Sequence, residues 1–164
     1  MCGIVGYAGT EECADILVEG LRKLEYRGYD SAGLALVNGK LAVVRAKGKL
    51  KNLEARLRET PMHGVTGIGH TRWATHGRPS DENAHPHQYG GVAVVHNGII
   101  ENHLELKAEL SAQGHAFSSE TDTEIFAHLI ADAIKTAPNL LAAVRQAIGR
   151  IRGTYALAVV AEQE

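Results

Sequence analysis

The second residue of this chain is a cysteine, and it leads straight into the apolar run Gly3-Ile4-Val5-Gly6. Once Met1 is removed, as expected when the next residue is small, Cys2 carries a thiol and a free α-amine on adjacent carbons. A thiol titrates near ~8.5 and an α-amine near ~7.7–8.0, so the amine can take the thiol's proton close to neutral pH. Nucleophile and general base then belong to one residue, and no separate histidine is required. The plain alternative is a small residue that merely follows the initiator.

Three further stretches carry polar groups at strand or helix ends. Arg72 sits in His70-Thr71-Arg72-Trp73-Ala74-Thr75-His76-Gly77. It reads either as a solvated arginine beside a core tryptophan or as a planar, bidentate fork for a carboxylate. Asn97-Gly98 reads either as a hairpin turn or as an oxyanion hole, in which a backbone N–H and an Asn amide are exposed at a strand end. Asp122, expected in the first turn of a helix, either complements the helix dipole or holds a ligand ammonium. The nine histidines, with His85-Pro86-His87 among them, raise zinc as an option. No HExxH or CxxC spacing supports it, so no metal and no cofactor are expected. The glycines of 64–69 do not match a phosphate loop.

These groups need a scaffold, and 164 residues at 45% hydrophobic suffice for a single packed domain. Lys+Arg 17 against Asp+Glu 19 leaves no basic face for nucleic acid. No apolar run reaches ~20 residues, so no membrane span is expected. No signal peptide is evident at the N-terminus. Cys13, in a helical pattern, reads as a buried thiol, and the cytoplasm is the expected compartment.

Gly3–Ala8 reads as a buried strand and 11–24 as a helix, with Leu17, Leu21 and Leu24 on one face. Residues 32–37 and 41–46 form a hairpin around Asn38-Gly39, the signature of a type I′ turn. Leu50–Glu59 is a helix, 65–72 a strand whose Gly67 and Gly69 admit a close neighbour. Residues 77–91 form one long polar loop, a lid or binding loop by its length. A strand at 92–96 and a helix at 102–113 follow. A helix from Thr121 to about Lys135 opens with a capping box between Thr121 and Glu124. A helix at 140–150 and a strand at 154–161 close the chain. Strands come as hairpins and neighbours, with helices in separate blocks, which is an antiparallel α+β layout.

Five ordered motifs then point to one family. Met1-Cys2-Gly3-Ile4-Val5-Gly6, Tyr26-Arg27-Gly28-Tyr29-Asp30-Ser31-Ala32-Gly33, His70 to Gly77, His96-Asn97-Gly98-Ile99-Ile100-Glu101-Asn102 and Ser119-Glu120-Thr121-Asp122-Thr123-Glu124 together resemble the class II glutamine amidotransferases, which are N-terminal nucleophile hydrolases. Within these, the second and third motifs are most similar to the glutaminase domain of the glutamine–fructose-6-phosphate aminotransferases. The purine-pathway relatives usually read differently at both. The resemblance implies a four-layer αββα sandwich spanning 1–164 and incomplete at its C-terminus. It implies L-glutamine as substrate, Cys2 as nucleophile, Asn97 and Gly98 as oxyanion hole, Arg72 on the α-carboxylate and Asp122 on the α-ammonium. Trp73, Thr75 and His76 fall on a loop that closes over glutamine, with Arg27 and His85 as nearby supports. Sugar-isomerase domains that would receive the ammonia are implied as partners. An uncovered C-terminal strand implies self-association. A domain that binds glutamine without turnover and a histidine-based metal binder are the competing readings.

Overall fold

The computed structural model describes residues 2–162, so the expected loss of Met1 lies outside the described residues. Two antiparallel sheets stack face to face, each covered on its outer side by helices. The first sheet has the order β1-β4-β2-β3, built from Gly3–Ala8, Thr66–Arg72, Ser31–Asn38 and Lys40–Lys47. The second has the order β5-β6-β7, from His87–Tyr89, Val92–Ile100 and Gly153–Ala161. Helices α1 (Ala14–Arg22) and α2 (Leu50–Glu59) pack on the first sheet through Leu17, Leu21, Leu50 and Leu53. Helices α3 (His103–Ala112), α4 (Glu124–Ala133) and α5 (Leu140–Ile148) cover the second through Leu106, Leu110, Ile125 and Ile130. Ala35, Val37, Ile68, Ala93, Val95 and Val160 fill the space between the sheets. This is the expected αββα sandwich. Among the described residues, no helix is long and apolar enough to cross a membrane.

The alternation of strand side chains explains who faces whom. Along β4, Ile68 points between the sheets, so His70 and Arg72 share its side. Gly67 and Gly69 point the other way, toward α1. A Cβ on Gly69 would lie 2.8 Å from Leu34 and 3.2 Å from Leu21, so these glycines let the helix seat closely on the sheet. Along β6, Ala93 and Val95 face the first sheet and Val94 faces the helices, which turns Asn97 toward β4.

Several local expectations give way to long-range contacts. The first helix begins at Ala14 rather than 11, because Glu12 accepts the Gly64 N–H at 3.0 Å and Cys13 donates to Gly64 O at 2.9 Å. The Asn38-Gly39 turn is not type I′, since Gly39 alone has positive φ, at 70°. The loop over 77–91 is not uninterrupted: its end folds into β5, which pairs His87 with Val94. The fourth helix starts at Glu124, so Asp122 lies before it, and no capping box forms. Glu124 instead accepts from the backbones of Ser118 and Ser119, each at 2.8 Å. The last helix stops at Ile148, with the Asn139 side chain capping Ala142 N–H at 2.9 Å.

Candidate active site

The site gathers where the ends of β1, β4 and β6 meet the segment that precedes α4. Gly3 pairs with Thr71 across β1 and β4, which sets Cys2 beside the end of β4. The Cys2 thiol is half-buried and accepts the Trp73 N–H at 3.2 Å, while Trp73 O lies 3.5 Å from the sulfur. The thiol is thus held by backbone, and the Trp73 ring stays 54% exposed. That ring packs over Gly28, one residue past the short 3-10 turn bearing Arg27. Asp30 fastens the same segment: its N–H donates to Arg72 O at 2.8 Å and its carboxylate accepts the Ala74 N–H at 2.6 Å.

Arg72 is a buried cation, 3% exposed. Its Nη2 donates to His76 O and, at 3.2 Å, to Gly77 O. Its Nη1 is buried and meets no partner among the described residues. Burial pulls the guanidinium below its ordinary range, against the opposing pull of Asp30, Cys2 and Asp122. A buried guanidinium with one branch unpaired among the described residues has donor capacity left for an anion. His76 is half-buried and meets His103 edge-on at 5.2 Å, while Thr75 is exposed on the same loop. Asp122 is 5% exposed, and one of its oxygens accepts the Ile100 N–H at 2.8 Å. It therefore ties the end of β6 to the entrance of α4, which is not the helix-dipole role its sequence suggested.

Asn97-Gly98 does not form a turn. β6 runs on to Ile100, and Gly98 pairs with Tyr155 of β7. Gly98 has φ of 142°, and a Cβ there would lie 1.9 Å from Thr154 O. The Asn97 amide reaches across to the other sheet, its Oδ1 2.8 Å from His70 Nε2.

Behind this surface lies a histidine cluster whose roles the residue pattern did not reveal. His70 and His85 lie with ring centroids 4.4 Å apart, and His85 meets His87 at 4.8 Å. The Thr123 hydroxyl stands 2.8 Å from His85 Nε2 and 2.9 Å from His96 Nδ1, and Thr121 stands 2.8 Å from His87. His85 is thus buried between His70 and the Thr123 hydroxyl. The one signal available for His70 was its spacing of two from Arg72 on a strand, which puts both on one face. Asp30 and Thr123 gave no signal, because their partners are distant in sequence.

Burial drives these imidazoles below the usual 6.5, His70 to about 4 and His87 to about 3, with His85 and His96 also lowered. In the unfolded chain the same rings bind protons near ~6.5. The unfolded state therefore takes up more protons than the folded one as pH falls through that value. Stability should decline on acidification until the folded rings themselves titrate. Each fully buried ring withdraws up to about 1.4 kcal/mol per pH unit in that window. Urea midpoints should fall steadily from pH 6.5 to about 4.5, before the carboxylates contribute. A midpoint constant over this range would contradict the neutral cluster.

Sandwiches of this layering with a cysteine at the head of an edge strand are N-terminal nucleophile hydrolases, and this chain has that fold. Its sequence is more specific: residues 70–164 match the family model described as "Glutamine amidotransferase domain", and the chain belongs to that family. It is 58% identical over its whole length to a glutamine–fructose-6-phosphate aminotransferase (isomerizing) of Symbiobacterium thermophilum. It is 56% identical over 98% of its length to one of Mesorhizobium japonicum. It spans only 26 to 27% of those relatives. Among solved structures, the glutamine phosphoribosylpyrophosphate amidotransferase from B. subtilis superposes with TM-score 0.81 at 30% identity, covering 99% of this chain and 35% of that one. A glutamine aminotransferase class-II domain protein from Silicibacter pomeroyi, 16% identical, has the same fold at TM-score 0.61, over 99% of this chain and 73% of that one.

Proposed function

We propose that this chain hydrolyses L-glutamine to glutamate and ammonia, and that in a longer protein the ammonia makes glucosamine 6-phosphate from fructose 6-phosphate. The observation that carries the reading is the buried Arg72 with its unpartnered Nη1, set one residue before the backbone that holds the Cys2 thiol. A free amino acid's α-carboxylate would complete that fork, and Asp122, across from it, would take the α-ammonium. With both ends of the substrate held, the side-chain amide is presented to Cys2.

With Met1 removed, the Cys2 α-amine takes the thiol proton and the sulfur attacks the amide carbon. The tetrahedral oxyanion is received by Asn97 Nδ2 and the Gly98 N–H. Collapse transfers a proton to the leaving nitrogen, releases ammonia and leaves a thioester, which water cleaves to glutamate and free thiol. Trp73, Thr75 and His76 lie on the loop that would close over the substrate, and Arg27 flanks it. Two unbridged thiols, Cys2 and Cys13, fit a reducing cytoplasm.

The acceptor branch follows from the 56 to 58% identity to the fructose-6-phosphate relatives, against 30% for the phosphoribosylpyrophosphate enzyme. Sugar binding and isomerisation are assigned to further domains of those longer proteins. The test is to give the processed chain glutamine with and without fructose 6-phosphate. Glutamate without glucosamine 6-phosphate, at a rate indifferent to the sugar, is expected. Turnover will be slow if lid closure depends on the acceptor. No glutamate at all would reject the glutaminase reading, and stimulation by the sugar would reject the assignment of acceptor recognition to other domains.

A further inference from the structure

We infer that His70 is a positioning residue for this hydrolysis: its imidazole donates from Nε2 to Asn97 Oδ1 and so turns the Asn97 Nδ2–H bonds toward the reacting carbonyl. The inference rests on the glutaminase reading and adds to it the group that decides which way the oxyanion hole faces.

An Asn side chain presents a donor on one branch and an acceptor on the other, with nearly the same shape. Only the nitrogen branch can stabilise a developing oxyanion; the oxygen branch would repel it. Something must therefore choose the rotamer. The 2.8 Å contact between His70 Nε2 and Asn97 Oδ1 does so, because an amide oxygen has no proton to give and the ring must supply it. The hydrogen thus sits on Nε2, and Nδ1 is left as a bare lone pair. That nitrogen is buried with no partner among the described residues. A buried acceptor without a partner is tolerated better than a buried N–H without one, which favours the same tautomer. In the other tautomer Nε2 would accept, the amide would turn round, and Asn97 would aim its oxygen at the negative charge.

The ring is also placed to hold its choice. His70 is fully buried and lies in β4, which pairs on both sides, with Ile4 of β1 and Gly33 of β2. His85 packs on its face and is itself fixed to Thr123. Protonation is disfavoured by burial and by Arg72 and His96 nearby, so the ring is neutral wherever the enzyme would work.

The following measurements test this on the processed chain. His70→Leu should lower kcat by about 10- to 100-fold, somewhat less than deletion of an oxyanion donor, with KM changed less than about 2-fold. It should weaken, by a similar factor, a glutamine analogue with an aldehyde in place of the amide, whose adduct with Cys2 carries the oxyanion. Glutamate, which makes none, should bind as before. His70→Gln, which keeps an N–H at the same reach, should recover most of the rate. In an Asn97→Ala background, His70→Leu should cost nothing further. Wild-type kcat in His70→Leu, an equal loss of aldehyde and glutamate binding, or an additive double mutant would overturn the proposal. Should the leucine variant fail to fold, the wild-type ring nitrogens still decide. Two-bond proton–nitrogen spectra must show His70 protonated at Nε2, and protonation at Nδ1 would overturn the inference. A wild-type chain that releases no glutamate is a different outcome: it rejects the parent reading rather than the role of His70.

Discussion

Cys2→Ala should reduce glutamate release by about 10⁴-fold or more while leaving glutamine affinity within a few-fold of wild type. The rate loss is this large because a nucleophile and its own base act as one unit, so nothing remains to form the thioester. The affinity survives because the groups assigned to binding, Arg72 and Asp122, are anchored independently of the sulfur. Arg72 is held by His76 O and Gly77 O, and Asp122 by Ile100 N–H. Among the described residues, the thiol's hydrogen-bond contacts are with the Trp73 backbone. Calorimetry with glutamine on the alanine variant, beside a glutamate assay, separates the two quantities. Affinity lost in proportion to rate would mean that Cys2 organises the binding site and is not chiefly a nucleophile.

Gly98→Ala should damage both stability and glutamate release. Its φ of 142° is one that side-chain-bearing residues rarely adopt, and the added Cβ would lie 1.9 Å from Thr154 O. Neither fault can be relieved by a rotamer change, since the clash is with backbone. Either β7 separates from β6 at the Gly98–Tyr155 pair or Gly98 rotates and its N–H swings away from the site. Backbone strain of about 1–3 kcal/mol and overpacking of about 1–3 kcal/mol add to a loss of roughly 2–6 kcal/mol. Urea unfolding reads the stability term and glutamate release the catalytic one. A variant with wild-type values of both would refute the claim that pairing with β7 holds the Gly98 backbone in a conformation reserved for glycine.

The sequence disclosed elements governed by short-range periodicity. Gly3–Ala8 and Leu50–Glu59 emerge with the expected bounds, because apolar spacing and local propensity agree there. It was less informative wherever a distant segment sets the conformation. Asn97-Gly98 carries the dipeptide of a hairpin, yet β7, more than fifty residues on, captures it as strand. Thr121 and Glu124 have the spacing of a capping box, but Thr121 goes to His87 and Glu124 to Ser118 and Ser119. The segments carrying Cys2, Arg72, Asn97 and Asp122 were legible as a set only through their resemblance to a known family. What each touches, and that His70 and Asp30 stand behind them, required the second sheet to be laid on the first.

The pairing of Gly3 with Thr71 also has a consequence in time. β1 is an edge strand, and β4 is its one neighbour in the sheet. At about 5–20 residues per second, the partner strand leaves the ribosome several seconds after Cys2 does. During that interval the N-terminal residues have no strand to join. Closure of β1 on β4 ends that interval. The first strand of the chain is thereby the one that waits for its partner, by the delay that synthesis imposes between two strands adjacent in space and far apart along the chain.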